Sequence, residues 1–197
     1  MSISIYNSSV GVFTQYLGSL SGLLDRAAVY AETRKIDPSI LLNTRLYPDM
    51  YNLTRQVGEA IRHAVVACAL LSGVEPPAFP ETEPDIPELK ARIATAIDFI
   101  RSLRPARING AGSKEVVFTF RNGSERKFTG QSLLLTFSVP QFFFHVTTAS
   151  CAIAASISSR RIFWAHQLSL RKIDRATSRR RPCGRDSPRP PVRPFRS

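Results

Sequence analysis

Val10, Phe13, Leu17, Leu20, Leu24, Ala27 and Ala31 recur at steps of three and four along the first stretch of the chain. An α-helix completes a turn every 3.6 residues, so this spacing gathers apolar side chains into one stripe and predicts an amphipathic helix. The same period returns in Leu53, Val57, Ala60, Ile61, Ala64, Cys68 and Leu71, with Gly73 where a left-handed C-terminal cap is expected. A third helix presents Leu89, Ile93, Ala96, Ile97, Ile100 and Leu103, and it follows an acidic stretch suited to the positive end of a helix dipole. Between these helices, "KIDPSILLNTRLYPDM" has room for a short helical turn, and the five prolines of "VEPPAFPETEPDIP" break regular structure.

The period then changes. "EVVFTFRNGSERKFTG" alternates apolar and polar residues about Asn122 and Gly123, a pair that tolerates the positive φ of a tight turn, which predicts a β-hairpin near residues 115–129. A last apolar helix is expected from about Gln131. Its Pro140 lacks a backbone N–H and should bend or interrupt it. The pattern predicts a mostly α fold: a four-helix up-down bundle with a small β-hairpin inserted before the last helix.

The run from Gln131 to Ser159 carries no formal charge, which raises the question of a membrane span. Gln131, Thr136, Ser138, Pro140, Gln141 and His145 interrupt it, so a buried helix and no membrane partner are the expectation.

Of the 197 residues, 43% are hydrophobic and 21% charged, enough for one globular domain with a real core. The net charge of +12 is unevenly placed: residues 1–150 hold 15 Lys and Arg against 13 Asp and Glu, whereas residues 151–197 hold 12 against 2. The division is therefore a folded domain over 1–150 and a basic, disordered tail over 151–197. Such a tail attracts phosphate backbones by counterion release and reads no bases, so non-specific nucleic-acid binding is one alternative function and a specific nucleic-acid partner is not expected. Cys68, Cys151 and Cys183 are too few and too scattered for a disulfide framework or a CxxC zinc site. The first residues lack a basic n-region and a long apolar core, which argues against a secretory signal. A reducing cytoplasm fits both.

Among sites, Phe142, Phe143 and Phe144 point round a helix rather than to one side, so core and subunit contacts suit them better than base stacking. Arg55, beside Thr54 and Gln56 at a helix start, is a candidate anion-binding or interface residue, against the blander reading of capping and solvent contact. GxSxG, GxGxxG, Walker and HExxH motifs do not occur, so no catalytic residue is assigned and whether the chain is an enzyme stays open.

The segments "MSISIYNSSVGVFTQYLGSLSGLLDRAAVYAETRKIDPSILLNTRLYPDM", "LTRQV", "LSGVEPP", "FTGQ" and "FFFHVTT" resemble the family known as domain of unknown function 1993, over residues 1 to about 149. That family is similar to the DinB-like and YfiT-like superfamily of four-helix bundles, whose members include metal-dependent transferases with a three-histidine site. The resemblance implies a bundle fold, a homodimer, and a possible divalent metal. His63 and His145 are the two histidines in the resembling region that could face each other across a bundle core. The superfamily's further histidine, one turn beyond that on the last helix, falls on Ala149; Glu59, one turn before His63, is a carboxylate that could substitute. Taken singly, His63 reads as partly exposed beside Arg62, and His145 as a buried histidine hydrogen-bonded to a neighbour. With the triad incomplete, the sequence favours a ligand-binding or structural bundle, acting on an unknown small molecule and with no required cofactor. The alternative is a divalent-metal-dependent transferase.

The C-terminus departs from the resemblance. Family members continue after "HVTTA" roughly as "YAILRHNGVDIGKADFLG". Codons for Ser150 to Ala165, read from the third base, can spell "VRHRGVDLVAADLLG", which points to a frameshift or misplaced splice near Ser150.

Overall fold

The computed structural model describes residues 4–79 and 84–157. Among them the fold is mostly helical with one β-hairpin. A π-helical turn, Asn7–Gly11, runs directly into α1 (Val12–Arg34), whose stripe from Phe13 to Ala31 is wholly buried. The helix ends on Lys35 in the left-handed region, φ 53°. α2 (Pro38–Leu42) is the short turn expected in the connection. Asp37 caps it by accepting from Ser39 N, and Pro38 fills a first-turn position where no N–H is needed.

α3 (Leu53–Ser72) starts on Asn52, whose side chain accepts from Arg55 N, and stops at Gly73 with φ 65°. α4 (Ile86–Ser102) is capped by Asp85, accepting from Glu88 N. A short α5 (Pro105–Asn109), which the apolar spacing does not announce, leads into the hairpin. There Asn109 Oδ1 accepts from Ser4 Oγ and Tyr6 N and pins the chain's first turn.

β1 (Glu115–Thr119) and β2 (Glu125–Thr129) pair antiparallel with Val116 opposite Phe128 and Phe118 opposite Arg126. The turn is one residue longer than a two-residue Asn-Gly loop: Gly123 N donates to Phe120 O, Phe120 N donates to Ser124 O, and only Gly123 takes positive φ. Thr129 then caps α6 (Gly130–Ser132). A Cβ on Gly130 would overlap the Ala111 carbonyl oxygen, so glycine is required where the hairpin rejoins the helices.

Pro140 does not stop the last helix. The chain passes through a π-helical segment, Leu133–Ser138, in which Val139 N reaches back five residues to Leu134 O, and continues as α7 over residues 139–157. The widened turn accommodates the proline, which an unbroken α-helical ladder would have to meet with a lost bond and a clash. The helix also runs past the boundary drawn at residue 150: Ala152 and Ile153 are buried, and Ile157 packs on the core. The basic tail beyond, with His166 and Cys183, lies outside the described residues.

α1 packs on α4, and α4 on α3. α7 joins through Phe13 and Phe142, both fully buried, whose rings meet edge to face at 4.8 Å. Truncating Phe13 would remove that contact and leave a cavity, a loss of about 3–5 kcal/mol. No described helix is long and apolar enough to cross a membrane.

Candidate metal centre

In α3, Gln56, Glu59 and His63 follow one another at steps of three and four, a polar line beside the apolar stripe of Val57, Ala60, Ile61 and Ala64. α7 brings His145 against that line. One ligand-type atom from each of Glu59, His63 and His145 lies within 4.8 Å of the other two. All three residues are buried, at 5%, 5% and 6% exposure respectively. The reading of His63 as partly exposed is thus corrected: its ring lies between Phe118, parallel at 6.2 Å, and His145, nearly parallel at 5.6 Å, with Phe137 edge-on at 5.5 Å.

His145 does have the hydrogen-bonded neighbour expected of it. Its Nδ1 is 2.7 Å from Gln56 Oε1, and Gln56 Nε2 donates to Tyr51 O at 3.4 Å. The Tyr51 carbonyl accepts only from an amide nitrogen, which turns the amide oxygen toward the imidazole. Nδ1 therefore carries the proton, and Nε2 keeps its lone pair. Conversely, His63 Nδ1 is buried without a hydrogen-bond partner among the described residues. Such an atom costs about 1–3 kcal/mol unless something engages it.

Burial holds the His63 pKa down at about 3, helped by His145, Arg62 and Arg121. Burial also lowers His145, against the opposing pull of Glu59. Both rings are thus neutral at physiological pH, the form that can donate a lone pair to a metal.

Glu59 is oriented from outside the triad. Arg121, on the hairpin turn, donates from Nε to Glu59 Oε1 at 2.8 Å; Arg62 Nη1 is 3.8 Å from Oε2, while its Nη2 donates to Thr119 O at 3.0 Å. The hairpin thus closes one side of the site. Two guanidiniums beside one carboxylate disfavour hard cations that bind by charge alone. Two imidazoles and a carboxylate instead suit a late first-row divalent ion. The residues fit such an ion: the donors converge, the rings are neutral, and one buried nitrogen lacks a partner among the described residues.

Ala149, at the place of the superfamily's further histidine, is fully buried and apolar, so Glu59 is the third donor of the cluster. The sequence reading singled out all three residues but missed the supporting roles of Gln56 and Arg121. The Gln56–Glu59–His63 spacing was the available signal for Gln56. Arg121 reaches Glu59 across 62 positions and had none. Of the three phenylalanines, Phe142 is buried, Phe143 is partly buried against Tyr16, and Phe144 is exposed.

The fold is shared with the crystal structure, at 1.83 Å, of a DinB family member protein from Shewanella denitrificans: TM-score 0.70 and 29% identity, covering 77% of this chain and 85% of that one. No curated protein shows significant similarity to the sequence. Residues 5–153 match the family described as Domain of unknown function (DUF1993), a span that includes every residue of the site, and the chain belongs to that family.

Proposed function

We propose that the chain is a four-helix up-down bundle of α1, α3, α4 and α7 that holds one late first-row divalent ion at Glu59, His63 and His145 and uses it in group transfer on a small molecule. The observation that carries this reading is the convergence of three buried donors within 4.8 Å, two from successive turns of one helix and one from another. Likeness to a DinB family member supports the bundle. The sequence alone favoured a bundle without metal, because the residue one turn beyond His145 is Ala149; Glu59 supplies the donor missing there.

Three protein donors leave a coordination position for an outside ligand, the pattern of catalytic rather than structural sites. A bound ion would supply Lewis acidity to that ligand. The chain's own part is to keep the lone pair on Nε2 of His145 through the Gln56 bond, to hold Glu59 with Arg121 and Arg62, and to keep water from His63 with Phe118 and Phe137. A homodimer, as the resemblance implies, and a reducing cytoplasm, as the few scattered cysteines imply, belong to the same proposal.

The test is the metal content of the purified full chain by mass spectrometry. Near one equivalent of zinc, nickel, cobalt or iron is expected, lost in His63→Ala and in His145→Ala. A folded protein that takes up none after incubation with each ion overturns the reading.

A further inference from the structure

A groove of about 1260 Å³ runs along the outer face of α3, beside the triad. Arg55, Gly58 and Arg62 line it from one helix. Gly58 lies three residues after Arg55 and four before Arg62, so the three share a face with the glycine between the two cations. A glycine inside a helix costs about 1 kcal/mol relative to alanine. Here a Cβ would meet nothing within 4 Å, so packing within the chain does not demand the glycine. What it provides is a low floor under open space.

The walls are basic. Five arginines and three aspartates line the groove, and two of those acids, Asp37 and Asp85, are committed to capping α2 and α4. Arg55 lies with its guanidinium carbon 4.0 Å from the centre of the Tyr51 ring, held flat without an ion-pair partner among the described residues. Arg121 spends Nε on Glu59 and is 61% exposed; its terminal nitrogens make no hydrogen bond among the described residues. Arg62 adds charge from its place between Glu59 and Thr119.

We propose that this groove binds a small organic anion, a carboxylate or a phosphate, over Gly58, between Arg55 at one end and the Arg62–Arg121 pair at the other. The two cationic ends lie seven residues apart on α3, about 10 Å along the helix, the span of a small metabolite rather than of a bare ion. Planar guanidinium forks match both carboxylate and phosphate oxygens. Since Arg62 and Arg121 also hold Glu59, an anion anchored there lies beside the triad. That last placement, which would make the anion the substrate, rests on the metal reading above; the anion site itself does not.

The experiment is titration calorimetry of the full chain, zinc-loaded and chelator-stripped, with succinate and with inorganic phosphate. Saturable one-to-one binding is expected for at least one of them in both forms, and the tighter of the two identifies the anion class. Gly58→Met fills the floor, and Arg55→Gln removes a wall at an exposed position; each should weaken binding at least tenfold with zinc content unchanged. If Gly58→Met does not fold, Arg55→Gln decides. No binding of either anion, or affinity equal to that of the parent in the variants, overturns the proposal; equal affinity is the result expected if the twelve Lys and Arg beyond residue 150 carried the binding. A chain that takes up none of the four ions yet shows the expected losses sinks the metal reading and leaves the groove standing.

Discussion

Gln56 Oε1 and His145 Nδ1 lie 2.7 Å apart, both side chains are buried, and the bond joins α3 to α7. It fixes the tautomer of the ring, with the proton on Nδ1 and the lone pair on Nε2. Replacing Gln56 with leucine keeps the volume but removes the acceptor, leaving the imidazole free to carry its proton on either nitrogen. Metal affinity should fall about 10–100-fold, the usual effect of losing a partner behind a metal-bound histidine. Competition with a chromogenic chelator measures it, and an affinity within twofold of the parent would show that Gln56 does not set the tautomer.

The two histidines also make stability depend on pH. His63 has its pKa lowered from 6.5 to about 3 in the fold, and His145 is lowered as well. The folded state therefore binds fewer protons than the unfolded chain between those limits. The contribution is fully present above about pH 6.5 and is lost progressively toward pH 3, by up to about 1.4 kcal/mol per pH unit for each fully shifted group. Urea midpoints of metal-free protein should fall steadily from pH 7.5 to 5. A midpoint that rises over this range contradicts the assignment of neutral buried rings.

Gly130 and Gly58 should respond oppositely to alanine. At Gly130 the new methyl would strike the Ala111 carbonyl oxygen and approach Leu71 Cδ2 at 2.9 Å, a backbone clash that cannot relax locally. A loss of about 1–3 kcal/mol is expected, as for other overpacked sites. At Gly58 nothing stands within 4 Å, and alanine should raise stability by about 0.5–1 kcal/mol through helix propensity. Thermal melts of the two variants check both signs.

Thiol reactivity should separate the described cysteines. Burial pushes the Cys68 thiol up to about 12, whereas Cys151 is exposed. Peptide mapping after alkylation at pH 8 should find Cys151 modified within minutes and Cys68 intact until denaturant is added. Early modification of Cys68 would mean that the core around α3 opens far more readily than its packing implies.

Much of this was legible in the sequence where interactions are local. The stripe from Phe13 to Ala31, the Gly73 cap and the hairpin are set by residues within a few positions of each other, and each is found where the spacing placed it. The two histidines could be assigned to their helices, but the helical rotation that turns His63 inward depends on Phe118 and Phe137, which arrive from the hairpin and the last helix. The same holds for Glu59. Its spacing to His63 was visible, while the Arg121 contact that orients it is set by tertiary packing alone. The π-helical passage before Pro140 was expected only as a bend or a break, because the choice between breaking and widening a turn depends on what surrounds it.

That widened turn has a consequence for the phase of everything after it. Each residue of an α-helix advances the side-chain direction by about 100°. Leu133–Ser138 runs at a slower angular pace, so the direction of every later side chain is offset from that of a uniform helix begun at Gly130. His145 meets His63, and Phe142 meets Phe13, only with that offset in place. The segment thus works as a vernier for α7: were its residues wound as ordinary α-helix without any change of sequence length, the imidazole would swing about a quarter turn off the triad and Phe142 would be carried out of the core, although neither residue had been touched.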